Sequence, residues 1–248
     1  MTQNELYQRQ QQLQLDVPRS VTIAGVGGVG SWVAIFSAMS GVPELFLFDP
    51  DVMEEHNRNR LPFCEGSINR PKVDVVREYI NAIRPDAIVV GSQQKLEGEL
   101  IDVQLRLSNW VIDCTDSPKS QIVLYNKCLE FSKAFIRAGY DGTHITVTSV
   151  VSGWIKDEEQ ETYEVNPSWV VPSAIVAGIA VAKMLKYSNQ ETSLDISEIG
   201  IPQIQRASRR TARCNQDGGR PVANPTVTLD NLDLAVEATR VEATRRRR

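Results

Sequence analysis

Three segments of the 248-residue chain carry residue types at spacings that suit phosphate chemistry. Gly25, Gly27 and Gly30 form a G-x-G-x-x-G run directly after the apolar stretch Ser20-Val21-Thr22-Ile23-Ala24. Glycines there permit a tight turn, and the helix expected next offers unpaired N–H groups to an anion. Asp49 lies 19 residues beyond Gly30, after the apolar stretch Leu45-Phe46-Leu47-Phe48. A carboxylate at the end of such a strand can accept a ribose hydroxyl. These two features read as a nucleotide site, although a glycine turn without a ligand has the same sequence.

The second segment narrows the reading. Asp51 leads into Asn57-Arg58-Asn59-Arg60, and Lys72 follows 12 residues after Arg60. Amide and guanidinium groups clamp phosphate oxygens, Arg bidentately, and Lys adds a point charge. Three such groups suit a triphosphate better than the pyrophosphate of a nicotinamide dinucleotide. Any one of them alone would read as part of a solvated loop. The third segment is Val111-Ile112-Asp113-Cys114-Thr115-Asp116-Ser117. An Asp at the carboxyl end of a parallel strand can hold magnesium against ATP phosphates. Asp113 can equally be a cap or a sheet-end hydrogen-bonder, a reading that weighs more on it than on Asp116.

Such groups need a sheet to position them. Residues 20–24, the glycine turn, a helix over 32–39 stopped by Gly41, and a strand over 45–48 make a βαβ unit. Beyond a polar loop at 51–71, helices are expected over 72–83, 96–107 and 121–133. They alternate with strands at 87–90, 110–113 and 134–138. Alternation of this kind predicts an α/β fold: a Rossmann-like, mostly parallel sheet with helices on both faces. The β-branched alternation from His144 extends it with antiparallel strands near 144–155, and an apolar helix follows over 172–187. Two regions are expected: 1–190, with a polar helical arm at 1–17, and a polar, partly irregular extension at 191–248.

Composition sets the outer limits. With 27 Lys+Arg against 31 Asp+Glu the net charge is −4, opposite in sign to a protein that coats nucleic acid. The chain nevertheless closes on Arg245, Arg246, Arg247 and Arg248. Cys64, Cys114, Cys128 and Cys214 form no C-x-x-C pair, which excludes the usual tetrathiolate zinc site. Free thiols in a chain of this size fit a reducing compartment. Residues 1–16 are Gln-rich without an apolar signal core. The longest weakly polar stretch, at 169–182, is 14 residues against the roughly 20 a bilayer requires. The expectation is a cytoplasmic protein without a membrane segment.

Taken together the motifs resemble the ThiF/MoeB/HesA group, the ubiquitin-activating-type adenylyltransferases. The chain carries Tyr7-Gln8-Arg9-Gln10, the run Gly25-Val26-Gly27-Gly28-Val29-Gly30-Ser31, Asp49 with Asp51, Asn57 with Arg60, Lys72, and Asp113 with Asp116, all in that group's order. The resemblance implies that ATP lies over Gly25, Gly27, Gly28, Gly30 and Ser31, with its ribose on Asp49 beside Asp51. It implies that Asn57, Arg60 and Lys72 hold the phosphates, that Asp116 holds magnesium, and that Arg9 reaches the triphosphate of a neighbouring subunit in a homodimer. Arg60, Lys72, Asp116 and Arg9 form the implied catalytic set. The implied reaction is attack of the C-terminal carboxylate of a small ubiquitin-like or sulfur-carrier protein on the α-phosphorus, giving an acyl-adenylate and pyrophosphate.

The chain departs from the group in four places, one being that Arg9 lies closer to the glycine turn than is usual. The paired zinc C-x-x-C motifs are missing, so no structural zinc is expected. No Cys lies between Ala134 and Val171, where thioester-forming members carry a nucleophile. The basic residue usual after D-x-x-D is shifted or replaced, with Lys119 and Gln121 nearby. Two other activities remain open: adenylation of a carboxylate on a modified tRNA base, as in threonylcarbamoyl-adenosine dehydratases, motivated by the Arg-rich end, and an NAD-dependent oxidoreductase, motivated by the glycine run alone. His144, the acidic run at 157–159, and Trp154 with Trp169 read as structural or solvated residues.

Overall fold

β1 (Ser20–Ala24) is buried at every position, as a central strand of a two-sided sheet requires. In this computed structural model, which describes residues 6–61, 65–151 and 167–198, it is the third strand of seven. The others are β2 (Glu44–Phe48), β3 (Ile88–Ser92), β4 (Trp110–Asp113), β5 (Ala134–Asp141), β6 (His144–Thr148) and β7 (Thr192–Asp195), in the order β3-β2-β1-β4-β5-β6-β7. β1 to β5 run parallel; β6 and β7 are antiparallel to their neighbours. The chain builds outward from β1 to β3, then crosses back to lay β4 on the other side of β1. That reversal opens a crevice at the carboxyl ends of β1 and β4, where sheets of this type bind ligands.

Among the described residues five helices pack on the sheet: α1 (Gly28–Met39), α2 (Lys72–Ile83), α3 (Glu99–Leu107), α4 (Pro118–Glu130) and α5 (Val170–Lys186). α1, α2 and α5 share one core with Ile23, Leu47, Ile112 and Val147. α3 and α4 cover Phe48, Val111 and Phe135 on the opposite face. The α/β class, the parallel order and the helices on both faces agree with the sequence. No described helix is long and apolar enough to cross a membrane.

Four differences matter for the crevice. α1 begins at Gly28 rather than residue 32, so the second half of the glycine run is already helical. β5 continues to Asp141, four residues beyond the last parallel pair, Asp113 with Arg137. At about 3.3 Å per residue the β5–β6 hairpin overhangs the ends of β1 and β4 by roughly 13 Å. β6 stops at Thr148; the remainder of the expected antiparallel stretch, 152–155, lies outside the described residues. β7 falls in the segment read as a polar extension, because an edge strand can pair through its backbone while its side chains face water. Also outside the described residues are Cys64, Trp154, the acidic run at 157–159, Cys214 and the Arg-rich end.

The N-terminal arm is helical at Leu6 and forms a 3-10 turn at Gln11–Leu13, residues 1–5 lying outside the described residues. It is pinned to the C-terminal end of α1. Gln10 Nε2 donates to Ser40 O at 2.7 Å, and the Tyr7 ring lies on Gly41, whose φ of +106° only glycine adopts readily. Arg84, almost fully buried, lies 5.1 Å from the Tyr7 ring, donates to Ala38 O, and pairs bidentately with Asp86 at 2.8 Å. One guanidinium therefore caps α1, braces α2 and seats the arm. Arg84→Met is expected to lower stability by about 1–3 kcal/mol, read by urea unfolding, and to speed tryptic cleavage after Arg9. Unchanged cleavage would show that the arm is held by other contacts.

Candidate functional site

The glycine turn is shaped from beneath. Gly25, at φ +82°, sits so close to β4 that a Cβ would lie 3.0 Å from Cys114 C and O. A Cβ on Gly30 would overlap Gly25 O, so α1 can leave the turn only from a glycine. Ser31 is fully buried and donates its hydroxyl to Val26 O at 2.9 Å, placing it under the turn rather than on its open side. Gly27 has nothing within 4 Å of its absent Cβ. The turn thus presents a bare surface and the first N–H groups of α1 to the crevice, where the helix dipole favours negative charge.

Asp49 ties this turn to β2. Its Oδ2 accepts from Val26 N at 2.6 Å and its Oδ1 from Asp51 N at 2.9 Å. Burial pushes its carboxyl above the ordinary value, and Lys72 opposes that shift. Lys72, the first residue of α2, places Nζ 2.7 Å from Asp51 Oδ2 and 3.9 Å from Asp49 Oδ1. A lysine ammonium has three donors, so one remains for a ligand oxygen. Asp49, Asp51 and Lys72 are therefore a single cluster beside the glycine turn.

Arg60 reaches the turn from the other side. A Cβ on Gly28 would lie 3.0 Å from its Cδ and 2.9 Å from Ser173 Oγ, so Gly28 leaves room for both side chains. Trp32 Nε1 donates to Arg60 O at 2.9 Å, and Arg60 Nη1 donates to His56 O and Asn59 Oδ1 at 2.9 Å each. Asn57 is buried and its Oδ1 accepts from Glu54 N at 3.0 Å. It shapes the loop that carries Arg60 and retains only its NH₂ group for a ligand.

Across the crevice, Asp113 is completely buried. Its Oδ1 accepts from Thr115 N at 2.9 Å and Thr115 Oγ1 at 2.7 Å, and its Oδ2 has no hydrogen-bond partner. Burial raises its carboxyl to about 6, against the pull of the Thr115 hydrogen bonds and the Arg137 guanidinium. Asp113 thus takes the sheet-end role, while Asp116 is exposed at the mouth of the turn before α4. Cys114 and Cys128 are free thiols raised by burial, Cys128 to about 12, and neither is suited to act as a nucleophile.

Arg9 is the exception. Its neighbours Tyr7 and Gln10 are fixed at the far end of α1, and the 12 residues of that helix span about 18 Å. Arg9 is exposed there and joins no other candidate of its own chain. Two residues that motif spacing did not single out belong to the crevice wall: Arg137 on β5, and Ser173, whose Oγ donates to Tyr140 OH at 3.0 Å. Arg137 was readable in principle, since an Arg ending the apolar run Ala134-Phe135-Ile136 breaks a buried strand.

The ThiF family pattern matches residues 3–218. The chain is 31% identical over 132 residues to the sulfur carrier protein ThiS adenylyltransferase of Escherichia coli, covering 52% of this chain and 53% of that one. It is 36% identical over 110 residues to the tRNA threonylcarbamoyladenosine dehydratase of Haemophilus influenzae, covering 44% and 42%. The chain thus spans about half the length of the curated relatives it matches. The crystal structure of E. coli MccB with MccA superposes with a TM-score of 0.68 at 18% identity, over 80% of this chain and 70% of that one, and shares the fold.

Two variants separate the turn's scaffold from its open face. Gly30→Ala is expected to cost several kcal/mol or prevent folding, while Gly27→Ala leaves thermal stability within about 1 kcal/mol. Asp113→Asn tests the buried carboxylate. A carboxyl raised by folding favours the native state fully below its unfolded value near 3.8 and loses that advantage as pH rises through about 6. The Asn variant should gain about 2–3 kcal/mol over the parent at pH 8 and nothing at pH 4, read by chemical denaturation at both pH values.

Proposed function

We propose that this chain, which belongs to the ThiF family, uses ATP to adenylate the C-terminal carboxylate of a small sulfur-carrier or ubiquitin-like protein. One observation carries the reading: the bare glycine turn lies between the Asp49–Asp51–Lys72 cluster on one side and the Asp113–Asp116 turn on the other. Each Asp49 oxygen keeps a lone pair for a ribose hydroxyl after accepting its backbone N–H. The remaining Lys72 donor and the Arg60 guanidinium lie where the phosphates of an ATP seated over Gly27 would run. Asp116 offers an exposed carboxylate, which together with phosphate oxygens meets magnesium's habit of taking one or two carboxylates. The ion would supply charge neutralisation there.

In the reaction a carboxylate oxygen forms a bond to the α-phosphorus. The bond from that phosphorus to the bridging oxygen breaks, and its electron pair leaves with pyrophosphate. The chain's own groups do no covalent work. They hold two anions together and stabilise the charge that moves onto the leaving group. A named ThiS adenylyltransferase among the relatives supports the carrier-protein substrate. The named tRNA dehydratase, at 36% identity, supports a tRNA-borne carboxylate as the second reading. A nicotinamide dinucleotide has no use for Lys72 held against the ribose acid, and nothing favours that alternative. The free thiols of Cys114 and Cys128 fit a reducing, cytoplasmic setting.

Arg9 supports a homodimer, since it lies too far along α1 to serve its own crevice. The outer surfaces of α1 and α5 leave Phe36, Met39, Ile175 and Ile179 part-exposed beside the small residues Ala174, Gly178 and Ala182, a face suited to a second copy. ATP–pyrophosphate exchange with the small proteins encoded beside this chain tests the assignment. Lys72→Ala and Asp116→Ala are each expected to reduce exchange by about 10²-fold or more. Co-expressed Arg9→Ala and Lys72→Ala chains should recover exchange that neither has alone. Full exchange in both Asp116→Ala and Arg60→Ala would sink the residue roles, and tRNA-dependent rather than protein-dependent exchange would select the second reading.

A further inference from the structure

Asp116 leaves the crevice wall on the short turn at 114–117, between β4 and α4, and its side chain is exposed. Magnesium demands near-ideal octahedral geometry, so a carboxylate that must first be ordered is a poor ligand for it. What holds this turn therefore bears on what Asp116 can do. Its neighbours are tied to the ends of the two elements. Cys114 N–H donates to Ala24 O at 2.8 Å, and Thr115 donates from N and Oγ1 to Asp113 Oδ1 at 2.9 and 2.7 Å. Ser117 Oγ caps α4 by accepting from Ser120 N at 3.3 Å.

The peptide that leads into Asp116 is held by a side chain from further along α4. Thr115 O accepts from Gln121 Nε2 at 2.7 Å. A peptide unit is planar, so fixing the direction of Thr115 C=O also fixes the N–H and the Cα of Asp116. Gln121 is buried, and its own pose is set at the other end of the amide, where Oε1 accepts from Arg137 Nε at 2.8 Å. Turning the amide over would set its NH₂ against the Arg137 N–H and its oxygen against Thr115 O, so one orientation alone satisfies both partners. Arg137 pairs in register with Asp113 on the neighbouring strand and is attracted to it electrostatically. The contacts close a ring, from Asp113 through Thr115, Gln121 and Arg137 back to Asp113, that joins β4, α4 and β5 around the turn.

Asp113, Thr115, Gln121 and Arg137 direct these contacts at one another, and Asp116 is the residue of the turn whose side chain stands outside the ring. We infer that Gln121, braced by Arg137 and bonded to Thr115 O, is a positioning residue for Asp116, holding its carboxylate toward the phosphates before nucleotide and magnesium arrive. Gln121 itself touches no ligand. Its contribution is the ordering that Asp116 would otherwise undergo on binding, and groups that orient a metal ligand in this way typically change metal affinity by about 10–100-fold when removed. This assignment rests on the adenylation reading above and adds to it the residue that aims the magnesium-facing carboxylate.

The test is a double-mutant cycle read by calorimetry on the full-length chain, with ATP plus magnesium, ATP plus EDTA, and adenosine monophosphate as ligands. Gln121→Met removes both hydrogen bonds of the amide. It is expected to weaken ATP plus magnesium about tenfold and to leave ATP plus EDTA and the monophosphate unchanged. In an Asp116→Ala background the same substitution is expected to add nothing, because the carboxylate it aims is gone. Gln121→Glu keeps the acceptor for Arg137 but sets an oxygen against Thr115 O, and is expected to give the same magnesium-dependent loss. It carries the comparison where Gln121→Met does not fold. Equal loss in the parent and Asp116→Ala backgrounds, equal weakening of all three ligands, or no loss in either variant overturns the assignment while leaving adenylation intact. A parent chain that binds neither ATP nor the monophosphate overturns the adenylation reading, and this one with it.

Discussion

The short contact between Gly25 and the backbone of Cys114 sets the geometry of this molecule. β1 and β4 are neighbours in the sheet but far apart in sequence, and their ends must turn away from each other to admit the helices that follow. The only way to make both turns without a gap is to let one backbone pass directly against the other. Gly25 does so at a positive φ, Gly30 lets α1 start against the Gly25 carbonyl, and Cys114 N–H closes the seam by donating to Ala24 O at 2.8 Å. Asp49 then locks the turn to β2 through Val26 N–H. The crevice, its bare floor and the helix N-terminus that faces it all follow from that one close approach.

Around this seam charge is arranged in opposition. One wall pairs Lys72 with two carboxylates, so its cation is held in place before a ligand arrives. The other wall buries Asp113 next to Arg137 and leaves one carboxylate oxygen unsatisfied. Such an oxygen costs stability, and its persistence at the mouth of a crevice fits the general pattern in which strain and unmet hydrogen bonds collect where a ligand is handled.

How far the sequence revealed this depends on how local each feature is. Gly25 to Gly30, Asp49 and Lys72 could be read directly, because each sits at the end of an element whose hydrophobic pattern is unambiguous. The alternation of strands and helices from 20 to 138 likewise fixed the parallel class. Roles that depend on tertiary neighbours were not readable. That Asn57 shapes its own loop, with Oδ1 accepting from Glu54 N–H and only the NH₂ group left for a ligand, is invisible in the motif. Ser31 looks like part of the turn's open face until its hydroxyl is found beneath it. Arg137 becomes interesting only through strand register, which brings it alongside Asp113 from 24 residues away in the chain. β7 was hidden because an edge strand needs backbone pairing rather than an apolar pattern.

The seating of the N-terminal arm carries a consequence for the chemistry of a dilute solution. Tyr7, Gln10 and Arg84 fasten the arm to the end of α1 about 18 Å from the glycine turn. An arginine fixed there cannot complete the crevice of its own chain without releasing those contacts. In the homodimer proposed above, it would serve the crevice of the other copy. Any contribution it makes to turnover therefore obeys mass action between copies, and specific activity measured per milligram should fall as the protein is diluted and recover with added crowding or concentration.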